Sequence, residues 1–245
     1  MTSKTYLITG AAQRIGAAIA RHLHATGACV ALHYYTSATA AAQLAAELNA
    51  IRPNSAATFA ANLLDVARLP QLIEQVVTRF GRLDGLINNA SSFYATPLAE
   101  VNLTNWQELM GSNVQAPLFL AQAAAPFLQA QQGCIVGLID IHAERPMAEH
   151  LVYNLAKAAH AQLIRALAVE LAPHIRVNGV SPGVNVWPTS DYFDADSRQQ
   201  LEASIPLNRI GTPEDIAKTV GFLLFDAPYI TGEIIRVAGG RGVGL

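Results

Sequence analysis

Cysteine is scarce in this sequence: Cys29 and Cys134 are the only two, and they stand far apart. A disulfide framework is therefore excluded, and so are the close cysteine pairs of thiol-redox and zinc motifs. His142 and His150 flank Glu144, but without the spacing of a helical zinc motif or a fourth ligand, so no metal is expected. A reducing compartment suits this composition, and a cytoplasmic location is expected. An excess of charge of one sign is missing too. Lys and Arg number 16 and Asp and Glu 18, for a net charge of -2, which leaves no basic surplus for phosphates and makes nucleic acid an unexpected partner. Apolar runs such as residues 220–225 fall far short of the roughly 20 residues that span a bilayer, so no membrane partner is expected. The opening Met1-Thr2-Ser3-Lys4-Thr5 runs into a strand pattern with none of the succession of a secretory leader, and secretion is not expected. Repeats, low-complexity tracts and Pro/Ser-rich linkers are absent as well, so residues 1–245 are expected to form a single domain.

What the chain does have is apolar residues, at 51%, arranged in two alternating patterns. Short apolar runs bounded by turn residues at 6–9, 29–32, 86–88, 134–138, 175–180 and 234–237 predict buried strands. Longer stretches with helical spacing separate them, among them 15–26, 38–50, 69–80, 151–171 and 213–224. Alternation of this kind requires crossover connections, hence a mainly parallel, doubly wound sheet of the Rossmann type with helices on both faces. One irregular stretch, 181–196, carries Pro182, Gly183 and Pro188 among Trp187, Tyr192 and Phe193. That mixture suits a substrate lid, expected over residues 184–203, with an ordinary surface loop as the alternative.

Thr9-Gly10-Ala11-Ala12-Gln13-Arg14-Ile15-Gly16 follows the first strand and opens the first helix, where free N–H groups and the helix dipole attract a diphosphate. After the second strand, His33-Tyr34-Tyr35-Thr36-Ser37 lacks the acid that would accept hydrogen bonds from the ribose of NAD, which favours NADP. Arg14 adds a cation that could reach a 2′-phosphate. Tyr153 and Lys157 fall one helical turn apart on one face, where a neighbouring ammonium would favour the phenolate.

With these residues in order, the sequence resembles the short-chain dehydrogenase/reductase family over essentially its whole length. The resemblance rests on Thr9 to Gly16, on Asn88-Asn89-Ala90, on Asn113 in the next helix, on Tyr153 with Lys157, and on Arg176-Val177-Asn178-Gly179-Val180-Ser181-Pro182-Gly183. It implies that Tyr153 donates a proton, that Lys157 binds the nicotinamide ribose and lowers the tyrosine pKa, and that Asn113 holds a water-linked relay. It places Gly10, Arg14, Ile15 and Gly16 on the cofactor's phosphates. His33, Tyr34, Ser37, Asn62 and Leu63 fall at its adenosine end. Asn89, Ala90, Ser91, Tyr153, Lys157, Pro182 and Gly183 complete the cofactor set. A homotetramer is implied as well.

Within that family the sequence is similar to the pteridine reductases. Arg14 stands where many relatives have the second glycine of the turn, Ser91-Ser92-Phe93-Tyr94 follows Ala90, and Asp140 stands thirteen residues before Tyr153 where a serine is usual. An ionised aspartate would repel a developing alkoxide, which argues against simple ketones. A pterin ring nitrogen instead needs a proton as hydride reaches the adjacent carbon, and a carboxyl group could relay one through Tyr153. Ser91, Phe93, Asp140, Tyr153 and Trp187 are thus the expected substrate contacts, with Phe93 covering a flat ring. Three positions depart from the relatives: Thr36 replaces an arginine, Asn62 replaces an aspartate after the third strand, and Ala238-Gly239-Gly240 lacks a preceding carboxylate. The resemblance implies NADPH-dependent reduction of a dihydropterin or dihydrofolate. A reductase of 3-oxoacyl or other ketones and a catalytically silent NADP(H)-binding sensor are the alternatives.

Overall fold

The computed structural model describes residues 3–186 and 194–243. Seven strands form one parallel sheet: β1 (Thr5–Ile8), β2 (Cys29–Tyr34), β3 (Ala56–Ala60), β4 (Gly85–Asn88), β5 (Cys134–Leu138), β6 (Arg176–Pro182) and β7 (Ile234–Val237), in the order β3-β2-β1-β4-β5-β6-β7. Successive side chains of a strand point to opposite faces, and both faces are covered. Tyr6 and Ile8 of β1 enter one core with Ile19 and Leu23 of α1 (Arg14–Ala25), Leu44 of α2 (Ala38–Ile51) and Ile216 of α8 (Pro213–Phe225). Leu7 enters the other, with Ile73 of α3 (Leu69–Phe80), Leu120 of α5 (Ala116–Gln129) and Ile164 of α6 (Leu151–Glu170). This is the doubly wound arrangement that the alternation of the sequence predicts.

The six apolar runs omit β3. Its sequence Ala-Ala-Thr-Phe-Ala has little of the bulk that marks a strand, and it forms through pairing with β2, from Val30↔Ala56 to Tyr34↔Ala60. Helices α4 (Leu103–Met110), α5 and α7 (Ala195–Ala203) also lie outside the stretches named from spacing. Asn102 caps α4 in a reciprocal capping box with Asn105, the local signal that fixes its start. In the expected lid, residues 187–193, and with them Trp187, lie outside the described residues. The stretch read as irregular as far as 196 gives way to α7 at Ala195, where the Asp194 side chain accepts from the Ser197 N–H at 2.8 Å.

Between α4 and α5 the chain makes a π turn, Gly111–Gln115. Such turns inside helical runs often mark functional sites, and this one presents Asn113. Among the described residues no helix is long and apolar enough to cross a membrane, and no group of three or more His, Cys, Asp or Glu is placed to hold a metal ion.

Candidate active site

The strand order reverses direction at β1 and β4, and ligands of open α/β sheets bind beyond the strand ends at such a point. The turn after β1 is built for close approach. Gly10 has φ +61°, and a Cβ there would lie 3.1 Å from the Ala90 Cα. A Cβ on Gly16 would run into the Gly10 carbonyl and lie 2.8 Å from Asn89 Nδ2, so only glycine fits. Asn89 ties the turn to β4: its Nδ2 donates to the Thr9 and Gly10 carbonyls at 2.8 and 3.1 Å. Thr9 Oγ1 accepts from the Asn89 and Ala90 N–H groups at 2.9 and 3.0 Å. This makes Thr9 a structural member of the site.

Arg14 is exposed and takes φ +52°. That left-handed value explains why glycine serves so well at this place in other chains. No acid occupies the first turn of α1, so within that turn nothing offsets the positive helix end and the Arg14 cation. Ile15 packs partly against the core.

His33 is buried, and its ring spans two elements. Nδ1 accepts the Gly10 N–H at 3.1 Å and Nε2 faces the Ala61 carbonyl at 3.1 Å, so Nε2 carries the ring proton and the imidazole is neutral. Its side chain supports the loop from beneath. Tyr34 and Ser37 are half-buried beyond it, and the Ser37 side chain makes no capping bond to α2. Asn62 is exposed and accepts the Leu64 N–H at 3.0 Å, while Leu63 is buried. At the far end, the Gly183 N–H donates to the Val237 carbonyl at 3.0 Å, placing Pro182 and Gly183 at the tips of β6 and β7.

Burial holds the His33 pKa down to about 4, against the opposing bond to Ala61. An unfolded histidine titrates near 6.5, so between these values the unfolded chain binds more protons; stability present above this window is lost as the pH falls through it. Urea unfolding midpoints are expected to decline from pH 6.5 toward 4.5, and to decline less steeply in His33→Gln. Equal slopes for the two proteins would remove His33 as a source.

The reacting groups converge beyond β4 and β5. Tyr153, 4% exposed on α6, donates its hydroxyl to Asp140 Oδ2 at 2.8 Å. Asp140 Oδ1 accepts the His142 N–H at 2.9 Å, which fixes the carboxylate at the start of a short turn. Burial, then the Asp140 charge and the bond to it, raise the tyrosine pKa well above its ordinary value. All three causes act in the direction that keeps the proton on the hydroxyl. Lys157 is buried, donates to the Leu138 carbonyl at 3.0 Å, and lies 5.6 Å from the Tyr153 ring centroid.

Phe93 is half-exposed and sits edge-on to Tyr153, at 4.8 Å and 78°, while stacking on His150 at 5.0 Å and 19°. Its loop is held by Asn113: Ser91 Oγ donates to Asn113 Oδ1 at 2.7 Å, and Asn113 Nδ2 donates to the Ser92 carbonyl at 3.1 Å. Thr96, which sequence reasoning missed, steadies the same wall by accepting the Val152 N–H at 3.1 Å. No local motif signals it.

The glycine cradle, the helix start and the Lys157 donor fit a dinucleotide. Gly10, Gly16 and Asn89 would shape its diphosphate site, and Lys157 would hold its ribose. A sheet reversal with a dinucleotide cradle and a tyrosine–lysine pair one helical turn apart defines a nicotinamide-dependent oxidoreductase. The chain belongs to the short-chain dehydrogenase/reductase family: residues 10–241 match the family described as enoyl-(acyl carrier protein) reductase. It is 39% identical to pteridine reductase 1 of Leishmania tarentolae, over 98% of this chain and 96% of that protein. It is 34% identical to a 3-oxoacyl-(acyl-carrier-protein) reductase of Staphylococcus aureus, over 97% and 98% of the two chains. An uncharacterized oxidoreductase of Bacillus subtilis, YmfI, is 32% identical over 97% and 98%.

Proposed function

We propose that this protein is an NADPH-dependent reductase of pterins, converting a dihydropterin or dihydrofolate to the tetrahydro form. The observation that carries the reading is the 2.8 Å hydrogen bond from Tyr153 Oη to Asp140 Oδ2. A carboxyl group at that distance can return a proton to the tyrosine after it has protonated a ring nitrogen, whereas for a ketone it would place negative charge beside a developing alkoxide. The bound nicotinamide supplies the hydride. Tyr153 gives the proton, Lys157 orients the ribose, and Phe93 covers the ring, with Ser91 and Trp187 as further substrate contacts. The remaining cofactor contacts follow the family pattern, within one domain that closes through a lid over 184–203 and assembles as a homotetramer.

The deciding assay follows NADPH oxidation with dihydrobiopterin, dihydrofolate and a panel of ketones and 3-oxoacyl thioesters. Turnover is expected with the first two and little with the others; the reverse order would assign the protein to carbonyl reduction, and no turnover of any substrate would favour a sensor. The same assay tests the cofactor. Charge-assisted hydrogen bonds from Arg14 to a 2′-phosphate are worth enough for Arg14→Ala to reduce the NADPH/NADH ratio of kcat/KM by about tenfold or more. A parent protein that prefers NADH would overturn that assignment.

A further inference from the structure

His160 lies one turn beyond Lys157 on α6, is 2% exposed, and among the described residues has no hydrogen-bond partner at either ring nitrogen. Its Nε2 edge meets β5 at Gly137, where a Cβ would lie 2.8 Å away; a side chain there would displace the ring. Gly137 pairs in register with Asn88 of β4. Paired residues of neighbouring strands project to one face about 4.8 Å apart. Leu86 and Ile135, two residues earlier in each strand, enter the core on the α6 side, so Asn88 shares that face with His160. Asn88 Oδ1 is buried without a partner among the described residues as well. Lys157 spends one of its donors on the Leu138 carbonyl, next to Gly137.

Polar atoms buried in this way are normally bonded, and an internal water typically makes about three hydrogen bonds to them. The complement suits one water: Asn88 Oδ1 only accepts, an ammonium only donates, and one nitrogen of the neutral imidazole can donate or accept. We propose that His160 is a positioning residue for Lys157, joined with Asn88 through one internal water into a buried hydrogen-bonded unit that holds the ammonium and supports its charge. The groups acting on that ammonium are few. Burial brings its pKa down to about 8 and Asp140, from the turn after β5, opposes this. Tyr153 presents its ring from the same helix. His160 stays neutral, its own pKa held near 3 by burial and by the Lys157 charge, so it offers hydrogen bonds without competing for the proton.

The proposal rests on the role given to Lys157 above, but its test needs neither substrate nor cofactor. The chain has three lysines, Lys4, Lys157 and Lys218, so lysine labelled with carbon-13 at Cε gives three NMR resonances that can be titrated in the cofactor-free protein. His160→Leu removes both ring nitrogens at similar volume. The Lys157 midpoint is expected to fall by about one pH unit, the size of one lost hydrogen bond to a charged group, with Lys4 and Lys218 unmoved. His160→Gln, whose amide can still bond the water, restores most of the loss. Gly137→Ala, which pushes the ring aside, gives a second route to the same fall should the leucine variant not fold. A Lys157 midpoint that stays in place in every folded variant overturns the proposal. Failure of the protein to reduce pterins would leave this titration unaffected, so the two readings fail separately.

Discussion

Tyr153→Phe is expected to lower the rate of pterin reduction by about 10²- to 10⁴-fold, the usual contribution of a positioned general acid. The substitution removes one oxygen and little else. Phenylalanine can keep the edge-on contact with Phe93 at 4.8 Å and the ring position 5.6 Å from Lys157. Asp140, half-buried, loses the hydroxyl at 2.8 Å but retains the His142 N–H and access to water, so the fold should survive. The check is a single-turnover stopped-flow measurement with saturating NADPH, so that product release does not mask chemistry. Cofactor binding, followed by fluorescence, should change little. A variant with near-parental single-turnover rates would show that the proton comes from another group.

The second large effect concerns Asp140. Asp140→Ser should slow pterin reduction by a comparable factor of about 10²- to 10⁴-fold, mainly in kcat, because serine can donate a hydrogen bond but cannot exchange a proton as a carboxyl group does. A serine oxygen can still accept the His142 N–H now held at 2.9 Å, so the turn after β5 need not collapse. Two of the causes that raise the Tyr153 pKa, the Asp140 charge and the hydrogen bond to it, disappear with the carboxylate. The tyrosine pKa therefore falls, and a basic limb of the rate profile set by Tyr153 moves to lower pH. Measured together, the single-turnover rate and the pH profile separate loss of the relay from simple misfolding. Unchanged pterin reduction in Asp140→Ser would remove the residue from the mechanism and restore carbonyl reduction as the leading reading.

Much of this site was legible because its signals are local. Gly10, Gly16, Tyr153 and Lys157 lie within short motifs whose spacing maps directly onto a turn or a helix face, and the motif order placed Asp140 near Tyr153 across thirteen residues. The strands were legible where both faces are buried and the run is bulky, as in β5. β3 escaped because an alanine-rich strand gains its identity from β2. The sequence pattern ends the second strand at residue 32 and leaves His33 to the cofactor, whereas His33 belongs to β2 and its work under Gly10 depends on Ala61, 28 residues away. The pairing of His160 with Gly137 had no sequence signal, since a glycine in a strand and a histidine in a helix each look like mild defects until the fold sets one on the other.

The central seam of the sheet also bears on how the protein is made. β1 hydrogen-bonds to β4, with Tyr6 opposite Gly85 and Ile8 opposite Ile87, and the bonds from Asn89 and Ala90 to the glycine turn span 79 to 81 residues. Contacts so distant in sequence require a large loop to close before they form, which makes them slow to nucleate. During synthesis, the turn at Gly10 leaves the ribosome long before the Asn89 that will brace it. The nucleotide cradle is thus a late product of folding, and a dinucleotide that binds only the closed seam draws the folding equilibrium toward the native chain by mass action.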